Sequence, residues 1–267
     1  MDVLRHPEVV VTLRRELRRA ARVGAFGTTT ALMLPAFMAR TAVATPKGRD
    51  AVRDRWVGAW CRTLLHAFGV EVIVAGAPGL EGAAARGRLV VANHRSTADI
   101  LALLGAFGGA MVSRADVAGW PLIGAAARAV GTVFVDRSNA FSGATAVRAI
   151  RARLVRGGTV IVFPEGGTSS GDEVRPFRRG AFVAALSADA EVVPVGLAYS
   201  SGSEAAFVGE SFPAHLARMA AARPSKVAMC IGAPISSAPG SHAESLRDSA
   251  QADVARLVAQ ARALVDA

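Results

Sequence analysis

No stretch of this 267-residue chain runs apolar without interruption for the roughly 18–20 residues that a plain membrane-spanning helix needs. Only two cysteines are present, Cys61 and Cys230, far apart and in apolar surroundings. That excludes a disulfide framework and reads as two buried thiols in a reducing compartment. Tyrosine occurs once, and aromatic residues make up 6% of the chain. The basic residues are interleaved with Ala, Val and Leu rather than with stacking rings. With no zinc-finger spacing, RNA-binding sheet signature or basic region leading into a heptad zipper, nucleic acid is not an expected partner. The five histidines are scattered, no Cys/His cluster forms, and neither a P-loop nor a Gly-x-Gly-x-x-Gly follows a strand. No metal or other cofactor is expected.

What is present is apolar and basic. Hydrophobic residues make up 52% of the chain, the mean hydropathy is +0.34, and the net charge is +10. Residues 1–62 hold twelve Arg and Lys against five Asp and Glu, a balance that suits an anionic membrane surface. Residues 8–22 read as a basic helix with Val9, Val10, Leu13 and Leu17 on one face. Residues 23–39 are uncharged and broken by Pro35, which suits a re-entrant or interfacial helix. A third helix over 50–69 carries Trp56 and Trp60, a residue favoured at membrane interfaces. The N-terminus is too long and charged for a signal peptide, so it is expected to be retained and to face the cytoplasm. Residues 1–55 are therefore read as a basic, apolar, helical membrane-association element, and 56–267 as the main domain.

From residue 70 the pattern changes to short apolar runs at 70–76, 88–93, 109–114, 131–137, 158–166, 192–200 and 226–235. Helical stretches at 96–107, 119–129, 141–156 and 177–188 separate most of them, and an amphipathic helix over 241–265 closes the chain. This alternation predicts an α/β fold with a central, mostly buried sheet flanked by helices.

Three strand ends deliver polar groups. "RLVVANHRSTADI" places His94 where a strand turns into a helix, the edge at which open α/β sheets bind ligands. Ser96 fits the N-cap, which puts Asp99 in the first helical turn, where it can hold one ring nitrogen of His94 and leave the other as a general base. The same Ser96-x-x-Asp99 also fits a plain capping box, with His94 a polar turn residue. "FPEGGTSSGDEVRPFRRG" places Glu165 at a second strand end, followed by glycines, hydroxyls and Arg175, Arg178 and Arg179. A carboxylate there would accept from substrate hydroxyls, and guanidinium groups would meet an anionic group in a forked geometry. "GTVFVDR" ends the third strand on Asp136 and Arg137.

"NHRSTADI", "GTVFVDR", "FPEGGTSSG" and "VVPVGL" resemble, in order and rough spacing, the four motif blocks of the glycerolipid acyltransferases, over about residues 56–235. The nearest type is the 1-acyl-glycerol-3-phosphate (lysophosphatidate) acyltransferase. The resemblance implies transfer of a fatty acyl group from acyl-CoA or acyl carrier protein to a lysophospholipid hydroxyl. It also implies an α/β acyltransferase domain beside an N-terminal membrane-associated element. By motif position, His94 would be the base and Asp99 its orienting partner. Arg137, Glu165 and Gly166 would bind the glycerol phosphate, and Pro194 would shape the pocket or acyl tract. The expected location is peripheral or monotopic on the cytoplasmic face of the cell membrane.

One position departs from the family pattern. The third block usually continues Phe-Pro-Glu-Gly-Thr-Arg-Ser, and here Thr168 occupies the arginine position. Lysophosphatidate remains the first expectation, with Arg175, Arg178 or Arg179 replacing the missing cation. A different acceptor, such as lyso-ornithine lipid, is the alternative. Two other readings stay open. "GTSSG" fits the Gly-x-Ser-x-Gly elbow of serine esterases with Ser169 as nucleophile and Asp189 with His215 or His242 as partners, although no strand runs directly into it. A basic membrane-binding protein without activity would carry the same N-terminus.

Overall fold

The computed structural model describes residues 7–45, 48–76, 86–120, 123–136, 139–236 and 241–267. Helices α1 (Pro7–Val43) and α2 (Arg49–Phe68) precede β1 (Val70–Gly76), β2 (Arg88–Ala92), α3 (Thr97–Phe107) and β3 (Ala110–Arg114). A 3-10 turn (Ala115–Gly119) leads to α4 (Ile123–Ala129), β4 (Val133–Val135), α5 (Ala140–Val155), β5 (Thr159–Val162) and α6 (Gly180–Leu186). The chain continues through β6 (Glu191–Tyr199), α7 (Phe212–Ala221), β7 (Ser225–Ile231) and α8 (Ala243–Asp266).

The strands form one sheet in the order β1-β7-β6-β2-β5-β3-β4. All neighbours are parallel except β6 and β7, which makes the sheet mixed. β2 lies between β5 and β6, and every residue of it is buried. Because successive side chains point to opposite faces, Leu89 and Val91 pack with α5, α6 and α8. Val90 and Ala92 pack with α2, α3 and α7. Burial on both faces is why these strands read as continuous apolar runs rather than alternating ones. On the first of these faces α8 lies against bare backbone: a Cβ at Gly196 would come within 2.2 Å of the Leu257 carbonyl carbon.

All seven expected runs contain strands: β1 has the expected bounds, β6 and β7 begin one residue earlier, and the others are trimmed. β5 stops at Val162 because Pro164 offers no main-chain donor and Gly166 takes a φ of +80°, which bends the chain out of the sheet. β2 and β5 are parallel neighbours. Their carboxyl ends therefore open side by side and bring the His94 and Glu165 loops together.

The N-terminal region differs from the sequence reading. Residues 7–43 form one helix with Pro35 inside it, not two segments broken there. An internal proline costs a helix about 3 kcal/mol. Tertiary packing outweighs that here, since Arg22, Thr30 and Phe37 on one side of α1 are buried. Arg18 Nε and Arg22 Nη1 donate to the carbonyls of Ala221 and Ala222 at the end of α7, 3.1 and 2.8 Å away. The expected division at 55/56 falls inside α2, whose Val57, Cys61, Leu64, Leu65 and Phe68 belong to the buried core. Among the described residues, no helix is long and apolar enough to cross a membrane. Cys61 and Cys230 are both buried and unpaired with each other, and burial pushes the Cys61 thiol up to about 12.

Candidate active site

Asn93 sets the start of the site. Buried at the end of β2, its side chain donates to the carbonyl of Leu197 and accepts from the Leu197 amide, at 2.9 and 2.8 Å, tying the turn to β6. His94 follows, with Nδ1 2.9 Å from Asp99 Oδ2. Its ring is stacked on Phe163, with centroids 3.8 Å apart and planes 5° from parallel. Asp99 is completely buried. Its Oδ2 also accepts from the amides of Arg95 and Ser96, at 2.7 and 2.8 Å, and its Oδ1 accepts from the hydroxyl of Tyr199 at 2.5 Å. An ionised carboxylate only accepts, so Nδ1 carries the proton and Nε2 keeps its lone pair. Nε2 meets no described protein group, and His94 borders a cavity of about 930 Å³. Ser96 caps α3 and Asp99 completes the capping box. Asp99 thus closes the helix and holds the imidazole with one carboxylate.

The cavity is mostly apolar. Phe26, Met33 and Leu34 of α1, Trp56 and Trp60 of α2, and Leu101 and Leu104 of α3 line it, with Trp120 and Ile123 beyond them. α1 is therefore a wall of the site as well as an N-terminal appendage. Trp60 is held there by its indole N–H donating to Thr30 Oγ1 at 3.1 Å.

Glu165 lies behind His94. Its Oε1 accepts from the His94 amide at 3.3 Å and its Oε2 from Arg175 Nε at 3.2 Å, with the side chain fully buried. Burial raises its pKa to about 7, more than Arg175 and the His94 amide pull it down. Arg175 also donates to the Gly167 carbonyl. Arg178 is exposed beside Gly166, where a Cβ would stand 2.7 Å from its Nε. The structure thus brings His94, Asp99, Glu165, Gly166, Arg175 and Arg178 together. It does not bring Arg179, which pairs with Glu244 on α8 at 3.0 Å. Arg137 lies outside the described residues.

With that geometry in hand, comparison with known proteins is decisive at the family level. A family model described as Acyltransferase matches residues 78–198. The lyso-ornithine lipid O-acyltransferase of Pseudomonas aeruginosa is 34% identical over 211 residues, covering 75% of this chain and 78% of that protein. The chain belongs to the acyltransferase family. A 1-acyl-sn-glycerol-3-phosphate acyltransferase of Neisseria gonorrhoeae is 36% identical over 113 residues, 42% of this chain, and the match spans only 44% of that relative. The crystal structure of the 1-acyl-sn-glycerophosphate acyltransferase from Thermotoga maritima shares the fold. It matches at a TM-score of 0.73 and 21% identity, covering 94% of this chain and 97% of that one.

Other residues of this acyltransferase fall into place around the site. Thr168 donates through Oγ1 to the Phe207 carbonyl, so the hydroxyl at the usual arginine position ties two loops together. The Ser169 amide donates to the His94 carbonyl at 2.9 Å, and its hydroxyl reaches only the carbonyls of His94 and Gly171, at 3.4 and 3.3 Å. Its supposed partners are elsewhere. His215 is bonded to Glu210 and Thr97, Asp189 pairs with Arg86 at 3.5 Å, and His242 precedes α8. The esterase reading therefore fails on geometry. Pro194 pairs with Val91 inside the sheet and is not among the residues that line this cavity. Asn93, Phe163 and Tyr199 were not singled out from the sequence, because a lone polar or aromatic residue in an apolar strand reads as core.

Proposed function

We propose that this acyltransferase moves a fatty acyl group from acyl-CoA or acyl carrier protein to the free hydroxyl of a lysolipid. The observation that carries the reading is the His94–Asp99 pair with Nε2 left over on an apolar cavity. Nε2 of His94 takes the proton as the lysolipid oxygen attacks the thioester carbonyl, and Asp99 holds the ring and balances the imidazolium that forms. The proton then passes to the departing thiolate sulfur. No protein nucleophile is needed, because the acceptor supplies the oxygen. Glu165 braces the His94 turn through its amide, and the apolar cavity takes the acyl chain. α1 supports docking at the cytoplasmic membrane face: Val11, Leu17, Leu32 and Val43 are exposed on the same helix as Arg14, Arg15, Arg19 and Arg40.

The acceptor we favour lacks a phosphomonoester, lyso-ornithine lipid being the type. Thr168 stands where the family pattern has arginine, Arg175 is tied to Glu165 and Gly167, and Arg179 is tied to Glu244. The match to the Pseudomonas lyso-ornithine lipid enzyme is also far longer than that to the Neisseria lysophosphatidate enzyme. 1-Acyl-glycerol-3-phosphate is the second reading, favoured by the exposed Arg178 beside Gly166. The test is transfer from radiolabelled acyl-CoA and acyl carrier protein to a lysolipid panel, with wild type and His94→Ala side by side. Transfer to lyso-ornithine lipid, lost in the variant, is the expected result. Transfer to lysophosphatidate alone exchanges the two acceptors, and transfer that survives His94→Ala overturns the mechanism.

A further inference from the structure

The chain has a single tyrosine, Tyr199, and it is buried at the end of β6, a hundred residues from the carboxylate it touches. Asp99 Oδ2 is occupied by His94 and two main-chain amides, so Tyr199 is the one described donor to Oδ1. Tyr199 is also held at its main chain and at its ring. Arg262 Nη1, from α8, donates to the Tyr199 carbonyl at 2.6 Å. The Arg95 guanidinium lies over its ring, 5.7 Å from the centroid. Asp172 joins those two arginines, accepting from Arg95 on one oxygen and from Arg262 Nε at 2.7 Å on the other.

We propose that Tyr199 is a positioning residue: its hydroxyl fixes Asp99 Oδ1 and sets how much of the carboxylate's charge is turned on His94. A carboxylate that shares its charge with a second donor is a weaker acceptor for the first. Removing the hydroxyl therefore strengthens the pull of Asp99 on His94 Nδ1–H while loosening the carboxylate's orientation. The inference rests on the proposed role of His94 as base. The other charged groups near the pair are Arg95 on the same turn, Glu165 with Arg175 behind His94, Asp172 and Arg262, and Glu210 with His215 and Arg218 across Thr97. Burial and the adjoining Asp99 hold the phenol protonated well above its ordinary range, so it remains a donor at working pH.

Two changes at this one position push in opposite directions. Tyr199→Phe deletes the donor. Because there is no other tyrosine, growth on 3-fluorotyrosine with a tyrosine-free tag labels Tyr199 alone and makes its phenol a more acidic, stronger donor. In Tyr199→Phe, kcat is expected to fall about tenfold with KM unchanged, and the acidic limb of the rate profile to move to higher pH. In the fluorotyrosine protein the limb moves to lower pH. The proton resonance of His94 Nδ1–H, identified by its loss in His94→Ala, moves downfield in the first and upfield in the second. Unmoved limbs and an unmoved resonance in both proteins overturn the proposal and leave Tyr199 a core residue. Should wild type transfer no acyl group to any lysolipid, the functional reading falls, and the Nδ1–H resonance alone decides the role of Tyr199. If Tyr199→Phe does not fold, the fluorotyrosine protein carries the decision by itself.

Discussion

Two histidine–carboxylate pairs flank the same cavity, and each is separated by five residues in sequence: His94 with Asp99, and His215 with Glu210. Their Nδ1-to-oxygen distances are nearly equal, 2.9 and 3.0 Å. The difference is at the far side of the ring. His215 is completely buried, and its Nε2 lies 3.0 Å from the hydroxyl of Thr97, the first residue of α3. Arg218 also donates to Glu210 and to the carbonyls of Glu204 and Ala206 in the loop before α7. His94 is 15% exposed and borders the cavity, and its Nε2 has no hydrogen-bond partner among the described residues. A histidine and a carboxylate at this spacing make a turn that holds its shape. Chemistry needs a second ring nitrogen that the fold leaves unused.

The sharpest way to break this comparison is to remove each ring in turn. His94→Ala is expected to lower kcat on the order of 10²–10⁴-fold while the protein stays folded, the range a positioned general base contributes. Steady-state rates beside a thermal melt check it. A variant that keeps more than a tenth of wild-type activity would mean that the open nitrogen is not the base.

His215→Gln should do the reverse. Loss of a buried ring bonded on both sides is expected to cost about 1–3 kcal/mol of stability, with kcat changed less than tenfold. There is a pH signature as well. Burial holds the His215 pKa below its ordinary value, more than Glu210 raises it. Below about pH 6.5 the unfolded chain takes up a proton that the folded ring refuses, so stability falls as the pH drops through that region. Denaturation midpoints at pH 5 and pH 8 should show that slope in wild type and a shallower one in the variant. A catalytic collapse without a stability change would exchange the roles of the two histidines.

Why one pair could be read from the sequence and the other could not follows from range. His94 and Asp99 sit within one strand-to-helix turn, so spacing and capping chemistry suffice to pair them. His215 finds Thr97 from 118 residues away, and Tyr199 finds Asp99 from 100, contacts that only the order of β2 and β6 in the sheet creates. The inner strands β2, β5 and β6 were legible because burial on both faces writes itself as apolar runs, and the half-buried edge strands β1 and β4 by their short β-rich runs. α1 runs through Pro35 because α2 folds back along it and α7, about 200 residues on, bonds its Arg22, tertiary contacts that local sequence does not announce. The arginines of the third block were legible as a cluster but not as individuals. Whether a guanidinium meets Glu165, Gly166 or Glu244 depends on backbone direction after Pro164.

The next prediction concerns the other buried carboxylate at His94. Glu165 is raised to about 7 by burial, so between its ordinary value and that point the folded protein keeps a proton the unfolded chain has released. Its contribution to stability therefore declines as the pH rises from about 4.5 to 7, opposite in sign to that of His215. Glu165→Gln removes the titrating group and should flatten this decline, a change on the order of 1 kcal/mol in chemical denaturation at pH 8 relative to pH 5. An unaltered profile would place the titration elsewhere. Read with His215→Gln, it tells whether the two sides of the cavity respond to pH independently, as their separate partners require.

The smallest effect is expected at Ser169, and it bears on whether any protein hydroxyl uses either histidine. Its amide, 2.9 Å from the His94 carbonyl, fastens the glycine-rich loop to the His94 turn together with Arg95, which donates to the Ser170 carbonyl at 2.8 Å. Alanine keeps that amide. Its hydroxyl makes only long contacts to two carbonyls, at 3.4 and 3.3 Å, and the His215 ring that an esterase would need is bonded to Glu210 and Thr97 instead. Ser169→Ala should therefore change acyl transfer by no more than about twofold, since a marginal hydrogen bond contributes only a few tenths of a kcal/mol. Loss of activity together with a covalent acyl adduct on the wild-type serine, sought by mass spectrometry after mixing with acyl-CoA, would replace direct transfer by a two-step route. With neither, the proposed direct attack by the acceptor's own hydroxyl stands, with His94 Nε2 as its base and Asp99 holding the ring.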